Sequence, residues 1–133
     1  MRNTCTPVEP GTRIVITTFG VLHGPAPRED RPVISVDLTT ALRNPADDPA
    51  MIYMTGLDVK VRDHVLTTPG AEAIVHDLVR QVLASGHNAH VFCQGGRHRS
   101  VAVAEEAAAR LRAHRLVVDV QHRDIDQPVK RRA

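Results

Sequence analysis

Residues 92–100 read Phe-Cys-Gln-Gly-Gly-Arg-His-Arg-Ser, which places a thiol, two glycines, a histidine, two arginines and a hydroxyl in one short stretch. The apolar residues before it predict the end of a strand, and Val101 to Arg112 predict a helix. A helix N-terminus offers unpaired N–H groups and a partial positive charge, and glycines let the backbone approach an anion. The planar fork of Arg99 suits two phosphate oxygens. The stretch therefore predicts a phosphate-binding loop.

We assign the predicted ligand contacts to most of this loop, namely Cys93, Gln94, Gly95, Gly96, His98, Arg99 and Ser100. The same residues also fit the Cys-x5-Arg-Ser pattern of cysteine-dependent phosphatases, in which Cys93 and Arg99 would be catalytic. That reaction needs a general acid, and none of the acids near strand ends (Asp47, Asp48, Asp124, Asp126) lies in a recognisable acid loop. A phosphatase-like enzyme is the alternative to a binding loop, and a buried inert thiol at Cys93 also stays open.

Composition limits the other function classes. At 133 residues the chain forms one domain, and with no Trp, one Tyr and two Phe its core must be built from Val, Leu, Ile and Ala. So few rings disfavour a base-stacking platform for RNA. Residues 97–133 hold nine Lys or Arg against five Asp or Glu. This excess indicates either a site for a polyanion or a solvated helix face with a basic tail.

Location, metal and cofactor are predicted from what the sequence lacks. The chain has no apolar run of membrane-spanning length and no apolar signal core at its start, so we expect it in the cytoplasm. Two cysteines make no disulfide framework, which leaves Cys93 as a free thiol. The spacing of the candidate metal ligands matches no zinc pattern, and we expect neither a metal nor a cofactor; these candidates are His90, Cys93, His98 and His122.

The hydrophobic pattern predicts four strands and three helices. The strands are expected at 13–19, 33–38, 88–92 and 116–121. The helices are expected from Asp58, acting as a cap, to Leu66, from Thr68-Pro69-Gly70 to Ser85-Gly86, and over 98–114. This alternation predicts an α/β layered sandwich with a mainly parallel central sheet. Residues 1–12 are predicted to be a flexible leader, 13–127 the domain and 128–133 a basic tail.

In parallel α/β sheets, ligands bind where the strands end. Three polar segments follow predicted strands: the turn over 19–24, the Cys93 loop, and His122-Arg123-Asp124. We expect these segments to lie together around one pocket.

Several separated motifs resemble one family. The pattern Cys-x-Gly-Gly-x-His-Arg-Ser, followed by Val-Ala-Glu-Glu and later by His-Arg-Asp, resembles the C-terminal domain family of RapZ, the RNase adapter. Segments 19–24, 54–58 and 61–66 also match, so the resemblance covers roughly residues 13–126. It implies a stand-alone regulatory module that binds a small phosphorylated metabolite and RNA. No Gly-x4-Gly-Lys-Ser/Thr motif is present, so hydrolysis of ATP or GTP is not expected.

The resemblance also implies RNA contacts and a homo-oligomer. The residues implied for RNA are His23, Gly24, Arg123, Lys130, Arg131 and Arg132. Better-studied members bind glucosamine-6-phosphate, but here Ala46 replaces a histidine of the family's ligand site, which implies weak binding of that sugar. Other departures are Leu22 for lysine, Thr39 for arginine and Gln94 for threonine. These departures keep open a third alternative, in which the domain acts through protein contacts alone.

Overall fold

The computed structural model describes residues 8–129. Its strands are β1 (Arg13–Gly20), β2 (Val33–Asp37), β3 (Asn88–Cys93) and β4 (Val117–His122). Its helices are α1 (Val59–Leu66), α2 (Ala71–Ser85) and α3 (Arg99–Ala113), with short 3-10 turns at Val21–His23 and Pro45–Asp47. The predicted α/β class with four strands and three helices is confirmed.

The four strands form one sheet in the order β2-β3-β1-β4, and all of the pairings are parallel. Gly20 at the end of β1 lies opposite Cys93 at the end of β3, and Thr18 lies opposite His122 of β4. The segments that follow β1, β3 and β4 therefore leave the sheet side by side. This confirms the predicted meeting of polar segments at the carboxyl end of the sheet.

The helices contact one another and cover one face of the sheet. The core between these layers is aliphatic, as predicted, and includes Ile14, Ile16, Val75, Leu78, Val91, Val103 and Leu111. On the other face, the Phe19 ring stacks on Phe92 at 5.0 Å and meets His90 edge to face at 5.7 Å. Phe19 and His90 are both buried. The few aromatic rings are thus concentrated beside the start of the 21–32 loop.

Two helix starts differ from their sequence predictions. Asp58 precedes α1 as expected, but its carboxylate accepts the N–H of Thr55 at 2.9 Å instead of a helix amide. The α2 helix begins at Ala71, after Gly70 in the left-handed conformation, so Pro69 lies before the first turn. The predicted end of α2 is confirmed, because Gly86 is left-handed and donates its N–H to the Val82 carbonyl.

Residues 8–12 of the predicted leader are hydrogen-bonded to the domain. The Val8 N–H donates to the Leu83 carbonyl at 2.9 Å, and the Gly11 N–H donates to the Arg115 carbonyl at 2.8 Å. The rest of the predicted leader and Lys130, Arg131 and Arg132 of the tail lie outside the described residues. Within the described part of the chain, no helix combines the length and apolar character needed to cross a membrane.

Candidate phosphate-binding site

The glycine loop lies between β3 and α3 and rests on the end of β1. A Cβ added to Gly20 would stand 2.2 Å from the Gly95 carbonyl carbon, and one added to Gly96 would stand 2.5 Å from the Gly20 nitrogen. Gly96 also has a φ of 70°, which side chains disfavour. Backbone therefore touches backbone at this point, which fixes the loop at the N-terminus of α3.

Cys93 forms the floor of the loop. Its side chain is buried, and its Sγ accepts the Gly96 N–H at 3.2 Å and lies 3.3 Å from Ser100 Oγ. The predicted free thiol is confirmed.

Arg99 is almost completely buried, with 4% of its surface exposed. Its Nη1 donates to the carbonyls of Thr39 and Ala41, at 3.4 and 3.2 Å. Its Nε has no hydrogen-bond partner among the described residues. The fold uses one nitrogen of the fork to hold the segment after β2, and the predicted contact of the fork with two phosphate oxygens stays a prediction. A buried donor without a partner costs about 1 to 3 kcal/mol, which an acceptor on a ligand would recover.

Arg97 holds two segments that are distant in sequence. Its Nε donates to the Met54 carbonyl at 2.9 Å, and its Nη2 donates to the Tyr53 carbonyl. Its Nη1 faces the carbonyls of Ile125 and Gln127, at 3.3 and 3.5 Å. Sequence reasoning counted this arginine as charge but missed its position in the site. No local spacing could have revealed it, because its partners are 28 to 44 residues away.

His98 is buried and donates from Nε2 to the Ile52 carbonyl at 3.1 Å. Burial lowers the pKa of His98, and the nearby charge of Arg97 lowers it further. The imidazole is therefore neutral at pH 7, with its proton on the nitrogen that faces the carbonyl. Its anchoring role is clear, while its predicted contact with a phosphate stays a prediction.

A small cavity of about 50 Å³ opens beside the loop. It includes four residues predicted for ligand or RNA (His23, Gln94, Gly95 and His98) and also the unpredicted Arg97. The remaining lining residues are Leu22, Asn44, Ala46, Gln127, Pro128 and Val129. Cys93, Gly96, Arg99 and Ser100 are not part of this lining and lie under the loop or at the start of α3. The cavity holds about two waters at the liquid volume of roughly 30 Å³ each, which is the scale of a phosphate group.

Arg123 and Asp124 brace the end of β1. Asp124 is buried and accepts the Gly20 N–H at 2.8 Å, and it pairs with Arg123 at 2.9 Å. The guanidinium of Arg123 lies 5.0 Å from the centre of the Phe19 ring and donates to the Pro25 carbonyl at 2.5 Å, with Gly24 and Gly20 carbonyls farther away. These contacts give Arg123 and Gly24 a structural role, and their contact with RNA stays a prediction.

The charge state of Asp124 bears on the phosphatase alternative. Burial by itself raises the pKa of Asp124, but hydrogen bonds from Arg123 and the Gly20 amide, with the charge of Arg123, outweigh it and lower the pKa overall. Asp124 is therefore a carboxylate at neutral pH, when a general acid must carry a proton. Within residues 8–129, no cluster of three or more His, Cys, Asp or Glu side chains could hold a metal ion.

Comparison with known proteins places this site in a family. The family model for the RapZ C-terminal domain matches residues 12–126. A nucleotide-binding protein of Thermus thermophilus is 40% identical over 129 residues, which cover 90% of this chain and 45% of the relative. A nucleotide-binding protein of Rubrobacter xylanophilus is 39% identical over 127 residues, covering 85% of this chain and 40% of the relative.

A nucleotide-binding protein of Corynebacterium jeikeium is 34% identical over 125 residues, which cover 86% of this chain and 42% of the relative. The chain thus spans less than half of the length of these relatives. Because the family model matches most of the chain and its glycine loop, the chain belongs to the RapZ C-terminal domain family.

Proposed function

We propose that this domain is a regulatory binding module for a small phosphorylated ligand, held beside the Cys93 loop. The observation that carries the proposal is a pair of arginines at the N-terminus of α3: Arg97 lines the small cavity, and the buried Arg99 under the loop has an Nε without a partner among the described residues. The guanidinium groups of Arg97 and Arg99 donate hydrogen bonds to carbonyls, and neither arginine forms an ion pair in the described part of the chain. The name of the relatives, nucleotide-binding protein, is consistent with a ligand that carries phosphate.

Calorimetric titration with inorganic phosphate tests this proposal. Arg99→Ala should weaken binding about 10- to 100-fold, because hydrogen bonds to charged groups contribute roughly 1.5 to 3 kcal/mol. Arg99→Lys keeps the charge but loses the fork, so it should bind with intermediate affinity. Arg110→Ala is the matched control, since it removes a guanidinium of the same helix that is paired with carboxylates. Equal affinity of the wild type and Arg99→Ala would remove the phosphate site from Arg99.

A cysteine-dependent phosphatase is the second candidate, favoured by the N–H of Gly96 and the hydroxyl of Ser100 around Cys93 Sγ. Such an enzyme would use Cys93 as its nucleophile, and the ionised Asp124 argues against that residue as its acid. Hydrolysis of an aryl phosphate should therefore be equal in the wild type and Cys93→Ser. Turnover that disappears in Cys93→Ser would favour the enzyme over the binding module.

RNA is the proposed second ligand. His23 lines the cavity, and Val129 of the same cavity immediately precedes the basic residues Lys130, Arg131 and Arg132. Contacts of this kind are electrostatic, so log affinity should fall with log salt by about 0.7 for each single-stranded phosphate neutralised. Gel-shift titrations at two salt concentrations should show that deleting 130–133 reduces both the affinity and this slope.

Assembly and location complete the proposal. A homo-oligomer would present several tails to one RNA and increase the effect of the deletion, and the expected cytoplasmic location stays a prediction. If neither phosphate nor RNA binds, the remaining candidate is a module that acts through protein contacts alone.

A further inference from the structure

One wall of the small cavity is held by few hydrogen bonds. Residues 127–129 form this wall, and Arg97 donates hydrogen bonds to the carbonyls of Gln127 in the wall and of Ile125 just before it. The Gln127 N–H also donates to the Asp124 carbonyl at 3.1 Å. Gln127 and Pro128 are exposed, and Val129 is half-buried. Among the described residues, this wall thus makes few hydrogen bonds and has little buried surface.

The opposite side of the cavity is held more firmly. The backbones of Gly95 and Gly96 pack closely against the Gly20 backbone, and the buried His98 ring is hydrogen-bonded to the Ile52 carbonyl. A shift there would break contacts between β1, β3 and α3. Of these two sides, the 127–129 wall is therefore the one that can move when the cavity enlarges.

The cavity must enlarge to enclose any ligand bigger than phosphate. Its volume is about 50 Å³, whereas pockets for small organic molecules usually measure about 300 to 1,000 Å³. The cavity is partly open to solvent, so while the wall stays in position a hexose phosphate can seat its phosphate here only with its sugar ring outside. The size of the acceptable ligand therefore depends on how the wall is held.

Arg97 holds the wall with its weakest contacts. Its bond to the Met54 carbonyl has the ordinary length of 2.9 Å, while those to Ile125 and Gln127 are longer, at 3.3 and 3.5 Å. A phosphate oxygen is a stronger acceptor for a guanidinium than a neutral carbonyl is. A ligand phosphate can thus replace the 125 and 127 carbonyls at Nη1, while the bonds to the Tyr53 and Met54 carbonyls keep the guanidinium in place.

We propose that Arg97 and residues 125–129 form a latch that determines ligand size. With the latch closed, the pocket accepts inorganic phosphate. A larger phosphorylated ligand is enclosed, sugar included, only after Nη1 of Arg97 releases the carbonyls of Ile125 and Gln127. This inference rests on the proposed function, because it assumes that the cavity receives phosphate.

Hydrogen exchange without ligand tests whether Arg97 holds the 125–129 segment in place. Arg97→Gln should increase the exchange rate of the Gln127 amide by about tenfold or more, because the turn loses the guanidinium that holds its carbonyls. Arg110→Gln, which removes a guanidinium from another face of the molecule, should leave that rate unchanged. An unchanged Gln127 rate in Arg97→Gln would overturn the latch, whatever the ligand experiments show.

Ligand size tests the consequence. The triple variant Gln127→Ala, Pro128→Ala, Val129→Ala removes the side chains of the wall but keeps the full chain. By calorimetry it should bind a hexose 6-phosphate about tenfold more tightly than the wild type, with inorganic phosphate changed by less than about threefold. If phosphate binds both proteins but the hexose 6-phosphate gains nothing, the latch is wrong and the phosphate site stands. If phosphate binds neither, the proposed function fails and the latch fails with it.

Discussion

The pocket at the carboxyl end of the sheet and the groove between α2 and α3 both contain arginines, but the partners of these arginines differ. The groove is the larger space, about 700 Å³, and Val79, Leu83 and Ala113 line much of it. Its Arg110 is bound by both carboxylate oxygens of Glu72, at 2.6 and 2.8 Å, and by Glu106 at 3.0 Å. These carboxylates raise the pKa of Arg110, and they cancel its charge.

Beside the small cavity, Arg97 and Arg99 donate to dipoles instead of carboxylates, whereas Arg123 at the same end of the sheet is paired with Asp124. Arg97 and Arg99 donate to carbonyls of residues 39, 41, 53, 54, 125 and 127. Carbonyls accept hydrogen bonds but carry no net charge, so they leave the positive charge uncancelled, and burial strengthens the field of that charge. This difference in charge favours the smaller space as the proposed anion site, because an anion is attracted by uncancelled positive charge more than by volume.

Gly20→Ala should lower the free energy of unfolding more than any other change considered, since it disturbs the backbone contact that positions the pocket. The new Cβ would lie 2.2 Å from the Gly95 carbonyl carbon and 2.5 Å from the Gly96 nitrogen. Overpacking commonly costs 1 to 3 kcal/mol, and here only backbone can move. We expect a loss of about 3 kcal/mol in the free energy of unfolding, measured by denaturant titration.

Gly95→Ala is the matched control for this prediction. A Cβ at Gly95 would meet nothing within 4 Å, so the free energy of unfolding should change little. Equal stability of the two variants would show that the loop moves freely over β1. The pocket would then lack the rigidity that distinguishes it from the groove.

Some of these contacts were predictable from the sequence because they are local. The Glu106–Arg110 pair follows from its spacing of four residues on a helix, and the structure confirms it at 3.0 Å. The pairing of Arg110 with Glu72 was not predictable, because it joins two helices 38 residues apart. Spacing therefore predicts one carboxylate partner for Arg110, whereas its second carboxylate and the carbonyl partners of Arg97 and Arg99 come only from the fold.

The candidate site shows the same limit. The two glycines before a helix predicted the loop, and parallel strand order predicted which segments meet. The need for glycine at position 20 could not be predicted, because it comes from the approach of a loop about 75 residues later. Residues 128 and 129 of the wall were assigned to a tail for a similar reason: the contact between Arg97 and the preceding Gln127 carbonyl has no local pattern.

Ala46→His should have an intermediate effect and sharpen the contrast between the two regions. Ala46 lines the small pocket, where the Asn44 side chain accepts its N–H at 3.1 Å. An added imidazole could donate to a sugar phosphate, and one recovered hydrogen bond contributes about 1 to 3 kcal/mol. We expect glucosamine-6-phosphate to bind at least about fivefold more tightly by calorimetry.

Ala84→His is the control, because it puts the same side chain into the groove. It should leave the affinity for glucosamine-6-phosphate unchanged. A similar gain from both variants would mean that any added histidine attracts the ligand. Tight binding by the natural sequence would show that the missing histidine at position 46 does not limit this site.

His98 should give the smallest effect, visible as a dependence of stability on pH. Burial and then Arg97 lower its pKa in the folded protein, while the unfolded chain has a histidine pKa of about 6.5. Below pH 6.5, His98 therefore binds a proton in the unfolded state but stays unprotonated in the folded state until the pH falls further. The stabilisation is complete above that pH and is lost as the pH falls towards the folded pKa, by at most about 1.4 kcal/mol per pH unit.

His98→Gln should flatten this acid limb in urea unfolding measured between pH 7.5 and 5. His114→Gln, which removes an exposed histidine of the groove, is the matched control for losing one imidazole. If both variants flatten the limb equally, burial at His98 is not its cause. If only His98→Gln does, the buried neutral ring beside Arg97 is the cause of the acid limb, because protonating it would place a second positive charge next to Arg97.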